Sequence, residues 1–213
     1  LRQGIDGWRL DVPACVKTPG FWEEFRRRVK SVNPEAYICG EIWTEAREWL
    51  DGTRFDAVMN YLFTGAVIDF VGGAVIDRSL LHEHFKRNKP VDAKGYAARI
   101  DKLLALYPWE AQLAQLNLLD SHDTARFLSL VRGDVRRLEV AAVLLLTFPG
   151  APCIYYGDEI GLEGRSDPDC RRGFPPEERW NKSLLAIFRR LIAIRREHEA
   201  LRVGTYRRLS AEG

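Results

Sequence analysis

Gly7-Trp8-Arg9-Leu10-Asp11-Val12, followed after a short break by Thr18-Pro19-Gly20-Phe21-Trp22-Glu23-Glu24-Phe25-Arg26-Arg27-Arg28-Val29, is the stretch on which the fold turns. The first run reads as a strand. The second predicts a helix, with Thr18 as N-cap, Pro19 at the first helical position, and Phe21, Trp22, Phe25 and Val29 at helical spacing. The same signal returns along the chain: residues 36–40, 57–60, 114–119 and 153–156, the last after Pro149-Gly150, read as strands. Helical patterns separate them, most clearly at 96–106, 135–148 and 182–199. In the last of these, Leu184, Leu185, Phe188, Leu191 and Ile192 form a stripe opposite Arg189, Arg190, Arg196 and Glu197. Five βα units follow. Parallel strands joined by helices leave two architectures open, a doubly wound sheet or a (β/α)8 barrel.

In either one, functional groups gather at the C-terminal ends of the strands. Three of the five strand ends carry acids: Asp11 after the first, Glu41 after the second, and Asp120 with Asp123 after the fourth. Arg9, two residues before Asp11, shares its face of the strand, and a guanidinium there holds a carboxylate ionised, as a nucleophile requires. Glu41 follows Gly40 and precedes Ile42 and Trp43, apolar neighbours that help a carboxyl keep the proton a leaving group needs. Two such carboxyls about 5 to 5.5 Å apart carry out retaining glycoside hydrolysis. Asp123 would stabilise the oxocarbenium-like charge, with His122 donating to a sugar hydroxyl. Trp43, Tyr61, Tyr155 and Tyr156 lie at or beyond strand ends, where sugar rings stack. Asp11, Glu41, His122 and Asp123 are also a plausible oxygen and nitrogen ligand set, so a metal-dependent hydrolase stays open. His82 and His84, in a polar stretch with Glu83 and Lys86, read as a solvated helix surface.

The bulk properties narrow the partners. The 213 residues carry 32 Lys and Arg against 30 Asp and Glu, a net charge of +2, which gives no field to concentrate nucleic acid or anionic lipid. No apolar run approaches the roughly 18 residues of a membrane span; the longest, at 140–148, is about half that. Cys15, Cys39, Cys153 and Cys170 show no metal-site or disulfide-framework spacing, so all four read as thiols, and the chain as cytoplasmic.

The motifs resemble those of the α-amylase superfamily. G-I-D-G-W-R-L-D-V at residues 4–12, G-E-I-W at 40–43, L-L-D-S-H-D at 118–123 and G-A-P-C-I-Y-Y-G-D-E at 150–159 are similar to four of its segments, in the same order. Between them, F-W-E-E-F-R-R-R-V-K, A-R-E-W-L-D-G, F-D-A-V-M-N-Y and D-P-D-C-R-R most resemble the neopullulanase, cyclomaltodextrinase and maltogenic amylase branch. The resemblance implies an α/β fold, a partial (β/α)8 TIM barrel holding strands four to eight. Residues 1–200 would be catalytic barrel and 201–213 the start of a C-terminal β domain, with a strand at 205–209. It implies a retaining hydrolase of α-1,4 bonds in maltodextrins, cyclodextrins or pullulan, with Asp11 as nucleophile, Glu41 as acid/base and Asp123 as stabiliser. Arg9, His122, Trp43, Asp167 and Arg171 would bind substrate or support the site. An oligo-1,6-glucosidase, a transglycosylase, or a silent module that only binds are the alternatives within the family. No cofactor is expected, with calcium and a homodimer reserved for a full-length protein. The sequence departs from the branch at Pro13-Ala14-Cys15, where V-A-N-E is frequent, so the glutamate associated with pullulan and cyclodextrin specificity is absent. The first three strands and a D-x-x-x-N-H segment have no counterpart before Leu1. The chain therefore reads as a fragment, expected to be poorly active by itself.

Overall fold

Five short strands run parallel in chain order. They are β1 (Gly7–Leu10), β2 (Tyr37–Gly40), β3 (Ala57–Val58), β4 (Leu116–Leu118) and β5 (Ala151–Cys153). The computed structural model describes Leu1 and residues 3–210. β1 pairs with β2, β2 with β3, and β4 with β5, all in parallel. A parallel bridge between Met59 and Leu116, with the Asn60 N–H donating to the Leu116 carbonyl at 2.8 Å, carries the order from β3 to β4.

Three of the four crossovers carry α-helices, as parallel strands commonly do, while the β2 to β3 connection, where a helix was also expected, holds only a 3-10 turn at Arg47–Trp49. Between β1 and β2 lies α1 (Phe21–Val32), with Glu23 and Glu24 in its first turn and Lys30 in its last, matching the helix dipole. Between β3 and β4 come α2 (Tyr61–Val67), which runs on into a π-helical turn at Ile68–Gly72, then α3 (Ala93–Leu104) and α4 (Trp109–Ala114). Between β4 and β5 are α5 (Phe127–Leu130) and α6 (Val135–Thr147). After β5, α7 (Lys182–Glu197) packs on α6, and α8 (Ala200–Val203) follows. Side-chain oxygens cap these helices: Asp92 accepts from the Gly95 N–H at 2.8 Å, Asp134 from Arg136 at 3.1 Å, and Asn181 from Leu184 at 3.0 Å.

Three further expectations change. Thr18 does not cap α1: Gly20 stands at the N-cap with a left-handed φ of 74°, because Pro19 is spent in a turn closed by Phe21 N–H to Thr18 O at 3.2 Å. The fifth strand lies earlier than 153–156, since Tyr155 and Tyr156 leave the ladder for a turn at Gly157, whose φ is 89°. Residues 205–209 form no strand among the described residues, and 211–213 of the expected C-terminal domain fall outside them.

Gly150 shows why β5 begins where it does. Its φ is +112°, and a Cβ there would sit 2.6 Å from Asn117 Nδ2 and 2.9 Å from the Gln115 carbonyl. Asn117 is buried, accepts from Asn60 Nδ2 at 2.8 Å and donates to the Pro149 carbonyl at 2.8 Å, tying β3, β4 and β5 together by side-chain amides. Arg195 of α7, also buried, caps the end of α6 by donating to the carbonyls of Leu146, Phe148 and Gly150. The apolar run at 140–148 belongs to α6 and the loop after it. Among the described residues no helix is long and apolar enough to cross a membrane.

Candidate active site

The acids Asp11, Glu41 and Asp123 sit just past the C-terminal ends of β1, β2 and β4, with Arg9 on β1 itself and Asp167 and Arg171 in the segment after β5. Arg9 Nη1 donates to Asp11 Oδ1 at 2.6 Å, while Arg9 Nη2 lies 3.0 Å from Glu41 Oε1. One guanidinium thus holds both carboxylates on its two prongs. Its Nε points at Met59 Sδ, 3.3 Å away, which fixes the fork against β3. Burial opposes the Arg9 charge, but the bond to Asp11 and the charges of Glu41 and Asp11 outweigh it, so its pKa is raised.

The two acids are unequal. The Asp11 side chain is 77% exposed and that of Glu41 only 3%. Nor is Glu41 in the apolar surroundings that Ile42 and Trp43 suggest. Besides Arg9, it accepts the Val12 N–H at Oε2, 3.1 Å away. That contact comes at a backbone cost. Val12 has φ 35° and ψ 52°, a left-handed conformation that a β-branched residue rarely takes and that costs on the order of 1–3 kcal/mol. Strain in the chain immediately after Asp11 turns an amide proton onto Glu41.

On the β4 side, His122 Nε2 lies 3.0 Å from Asp123 Oδ2. Arg171, distant in sequence, donates through Nε to the His122 carbonyl at 3.0 Å and through Nη2 to Asp123 Oδ1 at 3.2 Å. The same Nε lies 2.6 Å from Asp167 Oδ1. Arg171 thus links Asp167 to Asp123 through one guanidinium, with the Asp167 and Arg171 side chains both about half exposed. Tyr61, at the start of α2, joins the two sides. Its ring is buried, its hydroxyl lies 3.3 Å from Ser121 Oγ, and it stacks on Trp43 at 3.6 Å with the planes 3° apart. Burial first, then the charges of Glu41 and Asp123, push its pKa up.

Two features were not anticipated. His82 and His84 both stack on Trp43, with centroids 4.3 and 4.9 Å from it, although His84, with Glu83 and Lys86, is exposed as expected. Beneath Asp123 lies a buried ionic group. Arg126, fully enclosed, donates to the carbonyls of Tyr156 (2.7 Å) and Cys170 (3.0 Å) and to Asp158 Oδ1 (3.0 Å), and lies over the rings of Tyr155 and Tyr156 at 4.3 and 4.7 Å. Asp120 accepts the Phe127 N–H at 2.6 Å. Burial raises both carboxyls, Asp158 well above the ordinary range because Asp120 is beside it, so the pair retains a proton where free aspartates would not. An Arg three residues past Asp123, in an otherwise apolar stretch, was the available sequence signal. Tyr155 and Tyr156 pack on this arginine.

No group of three or more His, Cys, Asp or Glu is arranged to hold a metal among the described residues. Between Asp11 and Glu41 the position a cation would take is filled by Arg9. All four cysteines are free. A cavity of about 480 Å³ opens between α2, α3 and the turn at His84, but none of the three rim acids lines it.

The comparisons fit this geometry. Residues 1–173 match the model of the α-amylase catalytic domain. The chain belongs to that family. It is 47% identical over 210 residues to a cyclomaltodextrinase of a Bacillus species, covering 98% of this chain and 35% of that protein. It is 43% identical over 213 residues to neopullulanase 2 of Thermoactinomyces vulgaris, covering 100% and 34%. Among solved structures, the debranching enzyme of Nostoc punctiforme superposes with a TM-score of 0.95 at 55% identity, over 99% of this chain and 43% of that one. The α-amylase-family segment described here thus spans about a third of the length of its curated relatives.

Proposed function

We propose that this chain supplies the catalytic carboxylates of a retaining α-glucan hydrolase, and that β1 to β5 are strands four to eight of its barrel. The observation that carries the reading is the Arg9 fork, which holds Asp11 and Glu41 at one guanidinium, close enough to address a single glycosidic bond. Asp11, exposed and paired to Arg9, attacks the anomeric carbon from one side. Glu41, buried and held by the Val12 N–H, protonates the departing oxygen and then takes a proton from the incoming acceptor. Asp123, with His122 and Arg171 around it, binds the hydroxyls of the distorted ring and opposes its developing positive charge. The relatives named for cyclomaltodextrin and pullulan support α-1,4 bonds in maltodextrins, cyclodextrins or pullulan as substrate. The 55% identity to a debranching enzyme favours α-1,6 bonds as a second reading. No cofactor is needed for this chemistry, and the four free thiols support an intracellular setting.

The test uses the intact protein that carries this chain. Maltotriose, a cyclomaltodextrin and an α-1,6-linked oligosaccharide are offered in turn, and the first product is followed by proton NMR. Release of the α-anomer, lost in Asp11→Ala, is expected. An inverted product, or full activity in Asp11→Ala, would refute it.

A further inference from the structure

Val12 is kept in a backbone conformation that its own side chain does nothing to hold. The side chain of this left-handed residue (φ 35°, ψ 52°) is exposed, so packing of the valine does not fix it. Strain of this kind persists only where the surroundings over-determine it. Those surroundings are the next residue, Pro13, and a tryptophan on α1.

Before Val12 the chain is fixed by the ladder, where the Glu41 N–H donates to the Leu10 carbonyl at 2.9 Å. After it, Pro13 is buried, and its carbonyl accepts both the Trp22 indole N–H and the Val16 N–H at 3.1 Å. The proline ring is seated beside Gly40: a Cβ there would stand 3.4 Å from Pro13 Cγ and 2.6 Å from the Phe55 ring. Phe55 in turn packs edge-on against Trp22, with centroids 5.3 Å apart. A residue before proline is kept out of right-handed helical backbone, so the unstrained alternative for Val12 is extended, and that would lift Pro13 from its seat. Gly40 directly precedes Glu41, so the same packing sets the acid against the turn. The Val12 N–H then meets Glu41 Oε2 at 3.1 Å while Arg9 Nη2 lies 3.0 Å from Oε1, and both carboxyl oxygens are pinned.

We propose that Trp22 is a positioning residue for the acid/base: by holding the Pro13 carbonyl, its indole N–H keeps Val12 left-handed and the Val12 amide on Glu41. This rests on the glycosidase reading above. Trp22 is buried on α1 and acts only through the turn. Its effect falls on the proton donor, because Asp11 is held by Arg9 from within β1, upstream of Val12. A relaxed Val12 leaves Glu41 with one anchor, free to swing out of line with the departing oxygen, while the nucleophile stays in place.

The experiment measures kcat/KM of the intact protein on maltotriose, whose departing sugar needs a proton, and on α-maltosyl fluoride, whose departing fluoride needs little help. Trp22→Phe keeps an aromatic ring without the N–H. Trp22→benzothienylalanine keeps the whole fused ring and exchanges the N–H for sulfur, so no cavity is left and folding is preserved. Both are expected to lower the maltotriose value by about fivefold, the equilibrium shift that one neutral hydrogen bond is worth, and to leave the fluoride value within about twofold. Val12→Asn added to either variant is expected to return the maltotriose value toward wild type, since asparagine takes left-handed backbone unaided. A wild-type maltotriose value in the benzothienylalanine variant, equal losses on both substrates, or no recovery with Val12→Asn overturns the assignment. Wild-type activity abolished by Asp11→Ala upholds the glycosidase reading whatever the Trp22 variants do. An intact wild type inactive on maltotriose overturns that reading and the assignment with it.

Discussion

Replacing Arg126 by Met keeps most of the stem volume and deletes the charge at the centre of the buried group under Asp123. Three acceptors lose their donor, the carbonyls of Tyr156 and Cys170 and the Asp158 carboxyl, all within 3.0 Å of the guanidinium now. Each buried acceptor left unpaired costs about 1–3 kcal/mol, and breaking a buried ion pair by removing one partner costs about 3–5 kcal/mol. These do not add, because Asp158 can escape by holding a proton. We take about 4 kcal/mol near neutral pH. For a chain of this size each kcal/mol lowers Tm by roughly 2–4 °C, so a fall of about 8–16 °C is expected by circular dichroism. The pH dependence is the sharper readout. In the wild type Arg126 opposes the rise in the Asp158 pKa. Without it the folded state binds that proton more tightly, and stability is lost over a longer range as pH increases. The penalty should therefore be larger at about pH 8 than at about pH 5.5. A fall of less than about 3 °C, or a penalty independent of pH, would refute the reasoning.

Asp158→Asn tests the same group from the other side. A carboxyl whose folded pKa is raised contributes stability below its ordinary value near 3.8 and loses it as pH climbs through the folded value. The amide cannot ionise, so thermal melts across that window should show a flatter profile than wild type and a relative gain at alkaline pH; parallel profiles would count against the shared proton. Gly150→Ala places a methyl 2.6 Å from Asn117 Nδ2 at a φ of +112°, and a loss of about 2–4 kcal/mol in denaturant midpoint analysis is expected. A neutral result would show that the loop before β5 yields easily.

The order of the strands was legible because period and punctuation are local properties: Gly and Pro mark the breaks, and apolar runs mark the ladders. Boundaries blurred where tertiary contact overrides propensity. Tyr155 and Tyr156 look like strand residues by composition, yet they leave the sheet to cover Arg126. In the site, Arg9 was found by two-residue alternation, and its pairing with Asp11 needs nothing more distant. Its second prong on Glu41, the reach of Arg171 to Asp123 across 48 positions, and the stacking of His82 on Trp43 depend on the fold and leave no periodic trace. The polar stretch around His82 is exposed at Glu83, His84 and Lys86, as its sequence suggests, but a hydrophilic sequence can still present flat rings to an indole.

Val12 has a consequence for how this sequence responds to selection. A valine at φ 35° is a standing debit in folding free energy, and glycine or asparagine at that position would remove it. A library screened only for survival on heating should therefore drift toward those residues at position 12. One screened for turnover should resist the drift wherever the stiff valine keeps its amide proton on Glu41. Which residue each screen enriches would separate what the chain needs to fold from what it needs to react.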